Sequence, residues 1–264
     1  MEQDHIQTNK LTWNQRTEFH IASEFYNQAE FIEGKNTLKE IELSLLNDVR
    51  GKSILHLQCH FGQDSLSLAR MHAKVVGVDF SEKAIELAIE TNNKIGLDAE
   101  FICCNLYDLP QHLNRQFDIV FTSYGTIGWL PDINKWAEIV SQFLKPNGEF
   151  VFVEFHPAMW MFDNDLKYVQ YNYFKSDAIV EIEDGTYADK NAAMKSKSIT
   201  WNHSLSCVIQ SLLNKNLKLI NFQEFDYSPY DVIANSIEIS PSRFQSKEHG
   251  NKLPLVYSLK MQKV

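Results

Sequence analysis

The sequence predicts a doubly wound, mostly parallel α/β sheet with a helical segment before it and an antiparallel insertion. Three observations lead to this prediction. From Gly51 onward, short apolar runs alternate with stretches of helical periodicity, as in a parallel sheet. After Pro157 this alternation stops, and aromatic residues begin to alternate along the chain. Residues 1–50 read as mainly helical and precede the first strand.

The parallel part of the sheet is expected to contain five strands. Apolar, often β-branched runs place these strands at 53–58, 73–79, 99–104, 117–125 and 149–155. Helical spacing follows the first strand at 66–71 and recurs at 81–96 and 132–144. Ser81 is a suitable N-cap and Gly96 a suitable C-cap for the helix between them, so the sequence specifies both of its ends.

The second part of the chain is expected to combine an insertion with the closing elements of the fold. Aromatic alternation and an Asp-Gly turn predict strands within 166–174, 178–188 and 197–203. A helix at 205–213, a strand at 217–225, a loop with two Ser-Pro pairs and a strand within 253–262 follow. We therefore divide the chain into an N-terminal helical lid, 1–50, and a main domain, 51–264, with an inserted cover at about 157–200.

Composition limits the classes of function. The chain has 264 residues and a formal net charge of -9, which argues against nucleic acid as its main partner. The N-terminus lacks a signal-peptide pattern and no apolar run approaches a membrane span, so we expect a cytoplasmic protein without a membrane partner. The four cysteines have neither zinc-site nor disulfide-framework spacing, and no metal site is predicted.

The most informative residues follow the strands of the expected sheet. In an open α/β sheet, ligands bind beyond the carboxyl ends of the strands, near the switch in strand order. One crevice would collect residues 58–64, 79–80, 104–106 and 123–128. A carboxylate at Asp79 can accept hydrogen bonds from both hydroxyls of a ribose, and Phe80 offers an apolar face to adenine.

The turn after the first strand distinguishes between nucleotide cofactors. A dinucleotide needs glycines there, because backbone amides approach its pyrophosphate closely. Here Gln58 and His60 stand at two of those positions, and only Gly62 is a glycine. S-adenosylmethionine has no phosphate, so the turn suits it better than NAD. An NAD-dependent oxidoreductase is the alternative enzyme.

Five ordered motifs carry a family resemblance. "ILHLQCHFGQD", "VVGVDFS", "CCNLYDLP", "FDIVFTSYGTIGWLPD" and "FLKPNGEFVFVEFHP" together resemble the class I S-adenosylmethionine-dependent methyltransferases over about residues 51–157. The resemblance implies a Rossmann-like sheet of seven strands, the last inserted antiparallel between its neighbours. The "HLQCHFG" turn, "WLPDI" and "WNHSL" further resemble a bacterial subgroup expected to act on small molecules.

The resemblance also implies roles for individual residues in binding S-adenosylmethionine. Asp79 matches the ribose-binding acid, Asn105 matches the residue that accepts from the adenine amino group, and Leu106 offers a backbone amide. Gly62 matches the last glycine of the first motif. Four further residues are assigned to the methionine arm and the sulfonium: Gln58, Cys59, Ser123 and Tyr124.

For several residues the sequence is compatible with two different roles. His56 stands where the family commonly has an acid, so it either contacts the cofactor or is a hydrogen-bonded core histidine. Asp64 is expected to cap a helix rather than to bind ligand. His156 follows the fifth strand and is the candidate general base, with a supporting role behind the site as the alternative. A lid over the cofactor would use aromatic residues near the N-terminus, and it would bring Tyr26 and Tyr124 close to the transferred methyl.

These observations predict S-adenosylmethionine-dependent methyl transfer to a small-molecule acceptor. After the fourth strand the chain reads "SYGT", not the Asn/Asp-Pro-Pro-aromatic pattern of enzymes that methylate amino groups of nucleic acids. The alternative from another class is a non-catalytic protein of the same fold that binds the cofactor and has lost turnover.

Overall fold

The computed structural model describes residues 2–264. The α-helices of these residues are α1 (Glu2–His20), α2 (Gln28–Ile32), α3 (Glu40–Leu46), α4 (Gln63–Arg70), α5 (Glu82–Lys94), α6 (Leu109–His112), α7 (Ile133–Phe143) and α8 (Leu205–Leu213). Short 3₁₀ turns lie at Leu106–Asp108, Ile127–Trp129, Met159–Met161 and Gly250–Lys252. The strands are β1 (Ser53–Leu57), β2 (Lys74–Asp79), β3 (Glu100–Cys103), β4 (Phe117–Ser123), β5 (Leu144–Phe155), β6 (Ile179–Asp184), β7 (Lys195–Thr200), β8 (Leu217–Phe225), β9 (Ser236–Ser240), β10 (Arg243–Ser246) and β11 (Val256–Lys263).

The main sheet has seven strands in the order β3-β2-β1-β4-β5-β11-β8. The five strands from β3 to β5 are parallel, and β11 pairs antiparallel with both β5 and β8. The strand order reverses between β1 and β4, which is where an open α/β sheet binds ligands. The predicted seven-stranded, doubly wound sheet with an antiparallel inserted strand is confirmed.

Helices bury both faces of this sheet. One face packs under α7 and α8, where Trp136 and Leu212 are fully buried against Phe152 of β5. The other face packs under α3 and α4, with Leu46 and Leu66 fully buried. Because β1, β4 and β5 are covered on both sides, their sequences are nearly continuous apolar runs and not alternating ones.

The insertion contains one hairpin and not three strands. β6 and β7 pair antiparallel, as expected for their segments. The strand predicted within 166–174 is wrong, because the chain turns there: Oδ1 of Asp163 accepts from the N–H groups of Lys167, at 2.7 Å, and Tyr168. Tyr168 and Phe174 are 74% and 70% exposed, so their aromatic rings have no sheet to pack on.

The loop with two Ser-Pro pairs also differs from the prediction, because it contains the hairpin β9–β10. Ser242 has φ +57° in the connection, and its N–H donates to Oε1 of Glu238 at 2.9 Å. Left-handed turns of this kind usually contain glycine or asparagine, so no strong hairpin signal is present in these residues.

The N-terminal segment packs against the insertion. The side chain of Asn9 on α1 exchanges two hydrogen bonds with the backbone of Ile199 on β7, at 2.7 and 2.9 Å. Thr12 donates to the carbonyl of Lys197 on the same strand at 2.6 Å. α1 ends at His20, so Phe25 and Tyr26 follow the helix and do not extend it. No helix of the described residues is both long enough and apolar enough to cross a membrane.

Candidate functional site

A cavity of about 950 Å³ lies at the carboxyl ends of the central strands. Its size is typical of sites for small molecules and cofactors. Its walls come from the turn after β1, the end of β2, the loop after β4, the N-terminal segment and the β6–β7 hairpin. The predicted site residues that line it are Tyr26, His56, Gln58, Cys59, Gly62, Asp79, Phe80, Ser123 and Tyr124.

The turn after β1 takes a left-handed backbone at three alternate residues. Gln58 has φ +54°, His60 has φ +53° and Gly62 has φ +77°. The two non-glycine residues are held by hydrogen bonds: Gln58 Nε2 donates to the carbonyl of Thr126 at 2.8 Å, and the His60 N–H donates to Asp79. A Cβ atom at Gly62 would lie 2.7 Å from the Phe101 ring, so packing requires glycine only there.

Asp79 ends β2 with its carboxylate fixed by backbone donors. Oδ2 accepts from the N–H of His60 and Oδ1 from the N–H of Ser81, both at 2.9 Å. Burial raises the pKa of Asp79 to about 6, and these hydrogen bonds oppose that rise. Each carboxylate oxygen has a second lone pair. The group can therefore still accept hydrogen bonds from a ligand in the cavity.

His56, Gln58 and Cys59 present different chemistry to the cavity. His56 Nδ1 is 2.7 Å from Ser65 Oγ, and burial lowers the pKa of this histidine to about 3, which keeps it neutral. It therefore lines the cavity and is also hydrogen-bonded within the core. Gln58 Oε1 is buried with no hydrogen-bond partner among the described residues. Burial raises the pKa of the Cys59 thiol, which makes it a poor nucleophile.

Asn105 and Leu106 lie beside a second, smaller cavity of about 40 Å³. This small cavity shares Gln58, Asp79, Phe80 and Trp129 with the large one. Asn105 Oδ1 accepts from the N–H of Tyr107 at 3.2 Å and so caps the short 3₁₀ turn that follows β3. The single crevice expected from the sequence is thus divided at Asp79 and Phe80.

The loop after β4 and the N-terminal segment supply three further residues. Ser123 Oγ lies 3.5 Å from Asp64 Oδ2. Tyr124 has φ +41° and donates from its hydroxyl to Glu42 Oε2 at 2.8 Å. The hydroxyl of Tyr26 is hydrogen-bonded to that of Tyr187 in the insertion. Both tyrosines therefore line the cavity with their hydroxyls bonded to the protein.

His156 is not among the residues that line the cavity, which removes the support for its predicted role as general base. Its Nε2 is 2.9 Å from Glu224 Oε1 on β8, and its Nδ1 accepts from the N–H of Ala158 at 3.0 Å. β5 ends at Phe155, so the alternation of side chains that would place His156 beside Glu154 no longer applies. His156 instead ties the end of β5 to the neighbouring part of the sheet.

An aromatic cluster closes the cavity between the turn and α1. The His60 ring packs against Phe61, Trp13, His20 and Tyr26, with centroids 4.2–5.5 Å apart. Burial lowers the pKa of His60 well below its usual range, so the ring is neutral. An aromatic wall of this kind suits a desolvated site for a cationic ligand.

Comparison with known proteins classifies the central segment. Residues 54–148 match the family model described as a methyltransferase domain. By sequence, this segment is similar to methyltransferase domains. It contains the turn after β1, Asp79, Asn105 and Ser123. The predicted resemblance to methyltransferases is confirmed for these residues, whereas the domain bounds of 51–264 stay a prediction.

Relatives with similar sequences carry the same description as that family. The chain is 33% identical over 132 residues to an uncharacterized methyltransferase of Synechocystis sp., covering 49% of this chain and 59% of the relative. It is 32% identical over 119 residues to a demethylmenaquinone methyltransferase of Lactococcus lactis, covering 43% and 46%. The matches thus span about half the length of these relatives.

The structural likeness extends beyond the methyltransferase domain. An S-adenosylmethionine-dependent methyltransferase from Mesorhizobium loti has a TM-score of 0.59 at 18% identity, covering 88% of this chain and all of its own. One from Clostridium acetobutylicum has a TM-score of 0.58 at 15% identity, covering 97% and 98%. At such low identity the likeness shows a shared fold.

Two buried carboxylates beside the cavity were not given a binding role from the sequence. Glu154 accepts from the N–H groups of Gly125, Thr126 and Ile127, and so fixes the loop after β4. Asp64 does not cap α4, whose N-cap is Gly62, but accepts from Thr37 Oγ1 at 2.6 Å and lines the cavity. The position of Asp64 in the turn after β1 placed it in the predicted crevice, whereas Glu154 could have been placed only by its position near the carboxyl end of β5.

Proposed function

We propose that this protein transfers a methyl group from S-adenosylmethionine to a small-molecule acceptor. The observation that carries the proposal is the pairing of Asp79 with the turn after β1. The N–H of His60 in this turn donates to Asp79, so a carboxylate that can bind a ribose lies beside a turn that needs glycine only at Gly62. The methyltransferase domain match supports the same conclusion.

The residues present fit the proposed cofactor. The unpartnered Oε1 of Gln58 is a buried acceptor that an ammonium group can satisfy. Asp79 would accept from the ribose hydroxyls, and Asn105 with Leu106 would contact adenine in the narrow part of the site. Ser123, Tyr124 and the main chain at Gln58 and Cys59 would surround the methionine arm. When bound, S-adenosylmethionine supplies a methyl group already activated by the sulfonium.

The protein's own contribution is positioning and the exclusion of water. We infer that residues 1–50 and the insertion at about 157–200 form a cover over the cavity, since Tyr26 and Tyr187 meet across it. A cavity of about 950 Å³ in an acidic chain favours a small molecule over a nucleic acid as the acceptor. Tyr124 is the remaining candidate beside the reacting atoms, because His156 lies outside the cavity.

We also infer membership of the bacterial subgroup with the "HLQCHFG" turn and a cytoplasmic location. The hydrogen bonds that hold Gln58 and His60 in left-handed conformations support the subgroup, because they show how the motif tolerates larger side chains.

Calorimetry tests the proposed cofactor directly. S-adenosylmethionine and S-adenosylhomocysteine should each bind at sub-millimolar concentration or more tightly, and NADH should not bind. Absence of binding by both sulfur compounds would contradict the proposal. Binding without methyl transfer to a broad panel of acceptors would favour the non-catalytic alternative.

A further inference from the structure

Arg16 is a buried cation whose hydrogen-bonding capacity the protein leaves largely unused. Its side chain is 5% exposed, and it lines the large cavity. Nη2 donates to Glu183 Oε2 at 2.8 Å and approaches Ser196 Oγ at 3.4 Å. Nε is sealed from solvent without an acceptor among the described residues. Nη1 also donates to no described residue, so an acceptor that enters the cavity could bind it.

This arrangement differs from that of a structural arginine. Buried donors are normally paired, and burying a guanidinium is costly unless anions or other acceptors surround it. The carboxylate of Glu183 is 37% exposed and uses a single bond to Nη2. Trp13 and Trp129 lie 5.7 and 5.5 Å from the guanidinium carbon, close enough for cation–π attraction. Aromatic rings therefore hold the charge in place without supplying the missing acceptors.

We propose that Arg16 binds a carboxylate of the methyl acceptor, so that the acceptor is an organic acid. Arginine is well suited to carboxylates, and a charge-assisted bond in a desolvated pocket is strong. The inference rests on the proposed function. Arg16, a residue of α1, contacts the β6–β7 hairpin and Trp129 in the 3₁₀ turn after β4, which places it on the side of the cover. The methionine arm of the cofactor is assigned instead to the turn after β1.

The test uses benzoate as the probe and benzyl alcohol as its neutral counterpart. Both are titrated by NMR into the full-length protein saturated with S-adenosylhomocysteine. Benzoate should bind in the low-millimolar range or more tightly, and benzyl alcohol at least fivefold more weakly. Arg16→Met should weaken benzoate binding at least tenfold, whereas Arg115→Met, which removes an exposed arginine, should leave it unchanged.

A second variant should change the affinity for benzoate in the opposite direction. Glu183→Gln removes the charge that competes for Arg16, so benzoate should bind severalfold more tightly. If Arg16 only tethered α1 to the β6–β7 hairpin, Glu183→Gln would not strengthen benzoate binding. Equal binding of benzoate and benzyl alcohol, or no change in either variant, would overturn the inference.

A final comparison separates the acceptor from the cofactor as the source of the carboxylate. Arg16→Met should leave the affinity for S-adenosylhomocysteine within threefold of the parent protein. A tenfold loss for that ligand, with 5′-methylthioadenosine unaffected, would show that Arg16 binds the methionine carboxylate and would overturn the inference. Failure of the parent protein to bind S-adenosylhomocysteine would instead contradict the proposed function itself.

Discussion

The backbone N–H of His60 donates to Oδ2 of Asp79 at 2.9 Å, which joins the turn after β1 to the end of β2. The left-handed conformation of His60 directs its N–H toward the neighbouring strand. One carboxylate thus supports the turn and faces the cavity. The shape of the turn and the proposed ribose contact therefore depend on the same side chain.

Replacing Asp79 with Ala should weaken binding of S-adenosylhomocysteine by on the order of 2–3 kcal/mol, because charge-assisted hydrogen bonds to two hydroxyls are lost. Calorimetry measures the change. Asp98→Ala, which alters an exposed acid, is the control. Unchanged affinity in Asp79→Ala would mean that the ribose lies elsewhere.

Glu42 should make the folded state less stable as the pH rises. Burial, with the nearby charge of Asp64, raises the pKa of Glu42 from 4.5 to about 7. Folding then favours the protonated carboxyl, so stability is lost as the pH rises from about 4.5 to about 7. The shift corresponds to roughly 3 kcal/mol.

Glu42→Gln should therefore be more stable than the parent protein at pH 8 by about 2–3 kcal/mol, and nearly equal to it at pH 5. Urea unfolding at both pH values measures the difference. Glu90→Gln, at an exposed acid, should show no such dependence. A stability difference that is the same at the two pH values would show that Glu42 titrates normally.

Gly62→Ala should destabilise the protein more than Gly96→Ala. Both glycines have left-handed backbones, with φ +77° and +67°, so both substitutions strain the backbone by about 1 kcal/mol. Only at Gly62 would the new Cβ also collide with the Phe101 ring, at 2.7 Å, which adds roughly 1–3 kcal/mol. Urea unfolding compares the two variants, and equal losses would show that Phe101 moves aside without cost.

Binding of S-adenosylhomocysteine should slow hydrogen exchange in the N-terminal segment. Tyr26 lines the cavity and bonds to Tyr187 across it, so a ligand there should hold residues 18–31 in place. Helix α8, which packs on α7 at the far side of the sheet, should show no change. Protection limited to the loops after β1, β2 and β4 would identify the N-terminal segment as scaffold.

The sequence by itself determined the sheet, the cofactor turn and the position of Asp79. Apolar runs and helical periodicity define parallel βα units, and the end of a parallel strand must lie at the carboxyl edge of the sheet. Asp79 and Gly62 could therefore be assigned from local pattern alone. The strand segments of β6 and β7 and their antiparallel character were also predicted, but the ten residues that connect them were not.

Only the tertiary structure decided which other polar side chains reach the cavity. His156 lies one residue beyond β5, where side-chain alternation ends, and it bonds to Glu224 from a strand that is distant in sequence. Arg16 enters the cavity from α1, whose docking depends on contacts with remote elements such as β7. Glu42 of α3 does not line the cavity but accepts from the hydroxyl of Tyr124, which does. No local pattern encodes those contacts, because they depend on how separate segments pack after the sheet has formed.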